Sequence, residues 1–108
     1  MEINDLKENQ SDVNMQVKVI YDKMLEKEWN GRKTKSVVVV DSDKAEGGTT
    51  ALLDLFDEDI GKFKFGDKMD LVNCFAKKIT TNRGEQMVIT YGYDKASKEL
   101  IGHYEKAD

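Results

Sequence analysis

The chain has 108 residues, a length suited to one domain with one core, and carries a formal net charge of −4 at pH 7. Only 39% of residues are hydrophobic while 35% are charged, which suits a small β domain whose strands bury one face and wet the other. The most apolar run, Val37-Val38-Val39-Val40, is far short of the roughly 18 apolar residues that a membrane-spanning helix requires.

Along the chain, Val13, Met15, Val17, Val19 and Tyr21 alternate with Asn14, Gln16, Lys18 and Asp22, Ile20 being the exception. This period of two predicts a half-buried first strand. A polar stretch runs to Glu28, and Trp29-Asn30-Gly31-Arg32 follows. Asn-Gly is a strong hairpin signal, because both residues tolerate the positive φ of a type I′ turn. A second strand is expected from about Lys33 to Asp41, with the β-branched run Val37–Val40 disfavouring helix. Residues 43–48 read as a turn. The third strand then places Ala51, Leu53 and Leu55 on one face and Thr50, Leu52, Asp54 and Phe56 on the other.

Asp57-Glu58-Asp59-Ile60 predicts a single helical turn capped by Asp57 and limited by Gly61. Phe63 and Phe65 alternate and are expected in the core. Gly66-Asp67 turns the chain into a fourth strand, Lys68 to about Phe75; residues 80–84 form a loop, and a fifth strand spans Glu85 to Tyr91. The stretch from Asp94 is polar apart from Leu100-Ile101. Five strands with a short helical turn between the third and fourth describe an all-β, five-stranded OB-fold Greek-key barrel. An SH3-like barrel or a small sandwich is the alternative, which the long first strand and the position of the helical turn disfavour.

Charge is segregated. Residues 29–40 hold Arg32, Lys33 and Lys35 and no acid; residues 71–84 hold Lys77, Lys78 and Arg83 and no acid; residues 41–70 hold nine acids against four lysines. Screening limits exposed charges to roughly 8–10 Å of reach, so the local sign decides what each surface attracts. The two basic segments cover the loops between strands one and two and between strands four and five, which flank the ligand face of an OB-fold. Solvated faces of no functional meaning give the same pattern.

Aromatic residues sharpen the case. Alternation puts Phe56 outside the barrel unless it folds under the helical turn. Trp29 stands in a turn with no core beside it, and Tyr91 either joins the ligand face or plugs the barrel end. Phe75 points inward by alternation from Met69 and Leu71, unless a bulge at Asn73 turns it out. Rings exposed among Lys and Arg are what a single-strand binder needs: bases stack on the rings while cations neutralise phosphates.

At these residues the chain resembles the simple single-stranded DNA-binding proteins of archaea and their eukaryotic relatives in the SOSS complex, which are similar in turn to the OB domains of replication protein A. The resemblance covers roughly 3–104. It rests on Ile3-Asn4-Asp5-Leu6, Asn14 before the first strand, Gly31 ten residues before Asp41, Leu53-Asp54-Leu55-Phe56-Asp57, Phe65-Gly66-Asp67, and Phe75 nine residues after Gly66. It implies single-stranded DNA as partner, with Phe56 and Phe75 stacking bases, Lys35 standing for a family arginine that contacts the strand, Ile79 at a third aromatic position, and Tyr91 at an aromatic position of the eukaryotic relatives. This chain is more acidic than most such domains. The site expected is therefore Trp29, Arg32, Lys33, Lys35, Phe56, Phe75, Lys77, Lys78, Arg83 and Tyr91. RNA, or a protein partner in a replication or repair complex facing the acidic segment, is the alternative. The resemblance places the protein in the cytoplasm of an archaeon or the nucleus of a eukaryote.

No catalytic constellation is visible. His103 and Cys74 are the only residues of their kinds, so a zinc cluster lacks ligands, and His103, in a polar stretch with no Cys or Ser context beside it, reads as a surface residue without a suitably spaced dyad partner. Asp57-Glu58-Asp59 lacks the calcium-loop pattern, and Gly47-Gly48 precedes a strand, not a helix as a phosphate loop would. A non-enzymatic protein without cofactor or metal is expected. One cysteine excludes an internal disulfide, and Met1-Glu2-Ile3-Asn4-Asp5 has no signal-peptide character.

Overall fold

Alternation decides the first strand, β1 (Gln10–Tyr21), which buries Val13, Met15, Val17 and Val19. The structure is a computed structural model that describes residues 2–43, 48–94, 96–97 and 99–107. After β1 come β2 (Lys27–Trp29), β3 (Arg32–Asp41), β4 (Thr50–Phe56), β5 (Lys68–Thr81), β6 (Gly84–Asp94), β7 (Glu99–Ile101) and β8 (His103–Ala107). Of the turn expected at 43–48, residues 44–47 lie outside the described residues.

The barrel closes through β1–β3, β3–β4, β4–β6, β6–β5 and β5–β1, with only β4–β6 parallel. This is the five-stranded OB-fold, to which β2, β7 and β8 are additions at the edges. Val37, Val39, Ala51, Leu53, Leu55, Met69, Leu71, Ala76 and Ile89 fill the interior with the β1 residues. Each such side chain contributes about 1.5–3 kcal/mol when fully buried, the smaller alanines less. Ile3 and Leu6 close one end, with the Ile3 N–H donating to the buried Asp41 carboxylate at 2.8 Å. Phe63 and Tyr104 fill the other, in an edge-to-face pair 6.3 Å apart.

Of the three register shifts along β1, between Gln10 and Val13, Val13 and Met15, and Val19 and Tyr21, the last two re-aim side chains. Between Val19 and Tyr21 the pairing with β3 shifts, and Tyr21 leaves the inward row that alternation gave it, ending 48% exposed. On β5 the partners of Val13 and Met15 are Cys74 and Leu71, so β5 carries an extra residue there. Asn73 takes a positive φ of 54° at that point, and its N–H is taken by the Asn14 side chain at 3.0 Å. The bulge buries Cys74 in the inward row and turns Phe75 outward.

Other expectations are corrected. Phe65 is not core but 68% exposed. It sits in a tight turn closed by Asp67 N–H to the Lys64 carbonyl, with Gly66 at φ 90°, and is pinned by its own N–H to Asp22; the turn points its ring to solvent. The helical turn is a 3-10 turn, Asp57–Asp59, and Asp57 does not cap it: Asp57 itself has φ 48°, and its carboxylate reaches back to β3. The expected 80–84 loop shrinks to Asn82-Arg83, since Thr81 and Gly84 are paired. The polar C-terminal stretch forms β7 and β8 and delivers Tyr104 to the core. Gly102 (φ 86°) permits the entry to β8, because a Cβ there would collide with the carbonyl of Asn73.

Candidate nucleic-acid interface

Pairing registers lay out the outer face of β3, β4, β6 and β5 as a grid. Thr34 pairs with Phe56, Ser36 with Asp54 and Val38 with Leu52. β6 runs parallel to β4 with Leu52 beside Val88 and Leu53 beside Ile89, an offset that sets Asp54 level with Thr90. Thr90 pairs with Phe75, Val88 with Lys77 and Gln86 with Ile79. One row across the face is thus Ser36, Asp54, Thr90, Phe75; the next is Val38, Leu52, Val88, Lys77. Rows are about 6.8 Å apart and neighbouring strands about 4.8 Å.

The β2–β3 hairpin hangs over one end of this face. Its turn has φ 49° at Asn30 and 78° at Gly31, a type I′ turn whose pairing puts Trp29 opposite Arg32 and Lys27 opposite Thr34. Trp29, Arg32 and Lys27 therefore share the outer side with Phe56. The Trp29 ring, half-exposed, stacks on Phe56 with centroids 5.9 Å apart and planes 19° from parallel. Phe56 is half-buried and rests on Tyr91 at 5.3 Å. The β5–β6 hairpin, with Arg83 in its turn, closes the opposite end.

Of the ten residues expected at the site, Trp29, Arg32, Phe56, Phe75, Lys77 and Arg83 lie on this face or in the turn that bounds it. Four do not. Tyr91 is buried: paired with Cys74 on the inward side and stacked on Tyr104 at 4.5 Å, it supports Phe56 from beneath. Lys35 pairs with Leu55, so its parity is inward, at the barrel end near Asp22. The Phe65 N–H, with help from Lys23 and Lys35, holds the Asp22 carboxyl below its ordinary value. Lys33 has the same parity as Lys35. Lys78 pairs with Met87, off the face, and meets Glu85 at 3.7 Å.

Charge on the face is mixed. Arg32 is engaged by Asp57 at 3.3 Å, whereas the ion pairs among the described residues leave out Lys27, Lys77 and Arg83. A cleft of about 310 Å³ opens between Arg32, Phe56, Tyr91 and the acids Asp57, Glu58 and Asp59. At the centre of the grid sits Asp54. Burial raises its carboxyl above the ordinary value, against the Ser36 hydroxyl, which donates to it at 2.8 Å, and the charges of Lys77 and Lys27. The backbone carbonyl of Asp54 accepts the Tyr104 hydroxyl at 2.8 Å. Burial also pushes the Cys74 thiol up to about 12, leaving it protonated and inert at neutral pH.

Sequence reasoning missed Lys27, Ser36 and the buried Thr90 as members of the face, and placed Asp54 there without giving it a role. The hairpin signal contained Lys27, since a two-residue turn at Asn30-Gly31 forces Lys27 opposite Thr34. Thr90 needed the parallel β4–β6 offset, which no local pattern reveals.

No protein-family model matches the chain, and no curated protein matches it. Among solved structures, the crystal structure of fission yeast Pot1 and ssDNA matches with a TM-score of 0.59 at 15% sequence identity. The match covers 100% of this chain and 39% of that one. The chain thus spans well under half of that protein, and at this identity the likeness shows the fold alone.

Proposed function

We propose that this domain binds single-stranded DNA without catalysis, in DNA replication or repair, after the manner of the simple archaeal and SOSS-complex proteins that its sequence resembles. The carrying observation is the outer face itself: Phe56 and Phe75 lie half-buried on the outer side of a barrel sheet, Phe56 resting on the core beneath it, with half-exposed Trp29 stacked at one end. Bases stack on these rings, one on Phe56 taking the place that Trp29 holds against it in the free protein, and Lys27, Lys77, Arg83 and Arg32 neutralise phosphates, Arg32 after release from Asp57. The likeness to a barrel solved with ssDNA supports the reading without identifying the ligand. One OB domain of this kind covers roughly 4–16 nucleotides.

The test is titration with an oligo-dT of about 12 nucleotides, followed by the fluorescence of Trp29, the chain's one tryptophan, with rU and duplex DNA as competitors. Saturable quenching that weakens with salt is expected, with a log–log slope of about −0.7 for each phosphate neutralised. Absence of binding to any single strand at low salt overturns the proposal and favours a protein-interaction OB subunit. That second reading has its own support in the exposed Tyr21, Leu25 and Phe65.

A further inference from the structure

Asp54 is out of place on a surface meant for a polyanion. It lies at the centre of the grid, level with Thr90 and in the row of Phe75, with Phe56 two residues along the same strand. Phe56 is about 6.8 Å away along the strand and Phe75 about 10 Å away across two strands. The carboxylate is held in place: Ser36 Oγ donates to Oδ1 at 2.8 Å, and the buried Tyr104 hydroxyl fixes the Asp54 carbonyl at 2.8 Å. No ion pair among the described residues occupies it, although Lys27 and Lys77 are near enough to favour its charged form.

Resting on the single-strand reading above, we infer that Asp54 is the base-reading group of this face and that it selects guanine. A phosphate over Asp54 would be repelled, so the strand lies with its bases toward the sheet and its phosphates toward the lysines and arginines at the edges. A base standing on Phe56 or Phe75 turns its Watson–Crick edge down to the carboxylate and strips away its remaining water. The cost of that desolvation is met only by N–H donors. Guanine alone presents two adjacent donors, N1–H and the N2 amino group, which fit the two oxygens of a carboxylate as parallel hydrogen bonds. Thymine offers one N–H between two carbonyls, and cytosine and adenine one amino group beside an acceptor. Ser36 takes one of about four acceptor positions of the carboxylate, so the paired arrangement stays open.

The experiment measures binding of the whole chain to oligo-dT and to the same oligomer with a single guanine, inosine, cytosine or adenine stepped through each position. A guanine at one position is expected to tighten binding by about 5- to 150-fold over thymine. Inosine, which lacks the N2 amino group, keeps only a small part of that gain, and cytosine and adenine none. Asp54→Asn, which keeps an acceptor for Ser36, is expected to bring the guanine-to-thymine ratio to about one while strengthening oligo-dT binding, since it removes a negative charge. If oligo-dT binds but guanine gains nothing at any position, or cytosine gains instead, or inosine equals guanine, the inference falls and the single-strand reading stands. If no oligomer binds, both fall. The inosine comparison uses only the unaltered protein, so it decides the matter even if the variant does not fold.

Discussion

Phe56 makes two contributions that substitution can separate. On the proposed reading its ring is a stacking surface for a base, and it is also a half-buried body wedged between Trp29 at 5.9 Å and Tyr91 at 5.3 Å. Loss of a base stack costs about 1–3 kcal/mol, which is about 5- to 150-fold in affinity. Full burial of a phenylalanine is worth about 3–5 kcal/mol on truncation to alanine, so a half-buried ring with two aromatic neighbours is worth about half of that. Phe56→Ala is therefore expected to lose about 2 kcal/mol of stability as well as binding, and remains folded if the domain has an ordinary margin of about 5–15 kcal/mol. Phe56→Leu keeps most of the buried volume and costs less than about 1.5 kcal/mol, yet it removes the π face. Fluorescence anisotropy with labelled oligo-dT, beside urea melts of each variant, separates the two effects. Leucine should bind nearly as weakly as alanine while melting nearly as late as the parent. A leucine variant that binds oligo-dT as tightly as the parent refutes the stacking role of Phe56, whatever the melts show.

Three further outcomes are expected. Lys77→Ala should flatten the salt dependence of oligo-dT binding by about 0.7 in the log–log slope, whereas Lys78→Ala, removing a charge already shared with Glu85 at 3.7 Å, should change it less; equal effects would contradict the placement of the two side chains. Tyr104→Phe should destabilise the domain by about 1–3 kcal/mol in urea melts, because it strands the Asp54 carbonyl; an unchanged midpoint would show that this hydrogen bond carries nothing. Burial holds the Asp54 carboxyl above its ordinary value, so between the unfolded and folded pKa values the native state binds more protons than the unfolded chain, and its share of stability falls as pH rises through that window. Asp54→Asn removes this penalty. The variant should gain on the parent as pH rises from the acid side of the carboxylate range to neutrality, and a gap that narrows instead would reverse the sign of the argument.

What was legible in the sequence was whatever strict alternation governs. β4 buries Leu53 and Leu55 and leaves Asp54 and Phe56 half-buried on the other face, as its period of two dictates, and Asn30-Gly31 forms the turn its φ tolerance predicts. Alternation fails where the backbone gains a residue. From sequence Phe75 has two readings, because the bulge at Asn73 depends on a side chain 59 residues away, Asn14, taking the freed N–H. Phe63 and Phe65 share a parity, but only Phe63 is buried, because Phe65 belongs to a turn set by hydrogen bonds to Lys64 and Asp22. β8 was invisible: in His103–Ala107 the one core residue is Tyr104, and a single aromatic in a polar run has no period. Proximity in sequence groups Lys33 and Lys35 with Arg32, although strand parity alone puts them on the other side.

That parity also bears on how a chain of net charge −4 approaches a polyanion. Three of the expected cations turn away from the face or are already paired, and a fourth, Arg32, is tied to Asp57, so phosphate attraction is weaker than a count of basic residues suggests. Lys27, Lys77 and Arg83 remain, spread along the edges, with an acidic rim at Asp57, Glu58 and Asp59. On the proposed reading, affinity on such a surface comes mainly from the rings, and Asp54 beside them makes every base that covers it answer for the water it displaces. If the proposed reading holds, a site built this way trades indiscriminate grip for a preference among bases. The expected signature is therefore a shallow salt dependence together with a base dependence that uniform phosphate neutralisation does not produce.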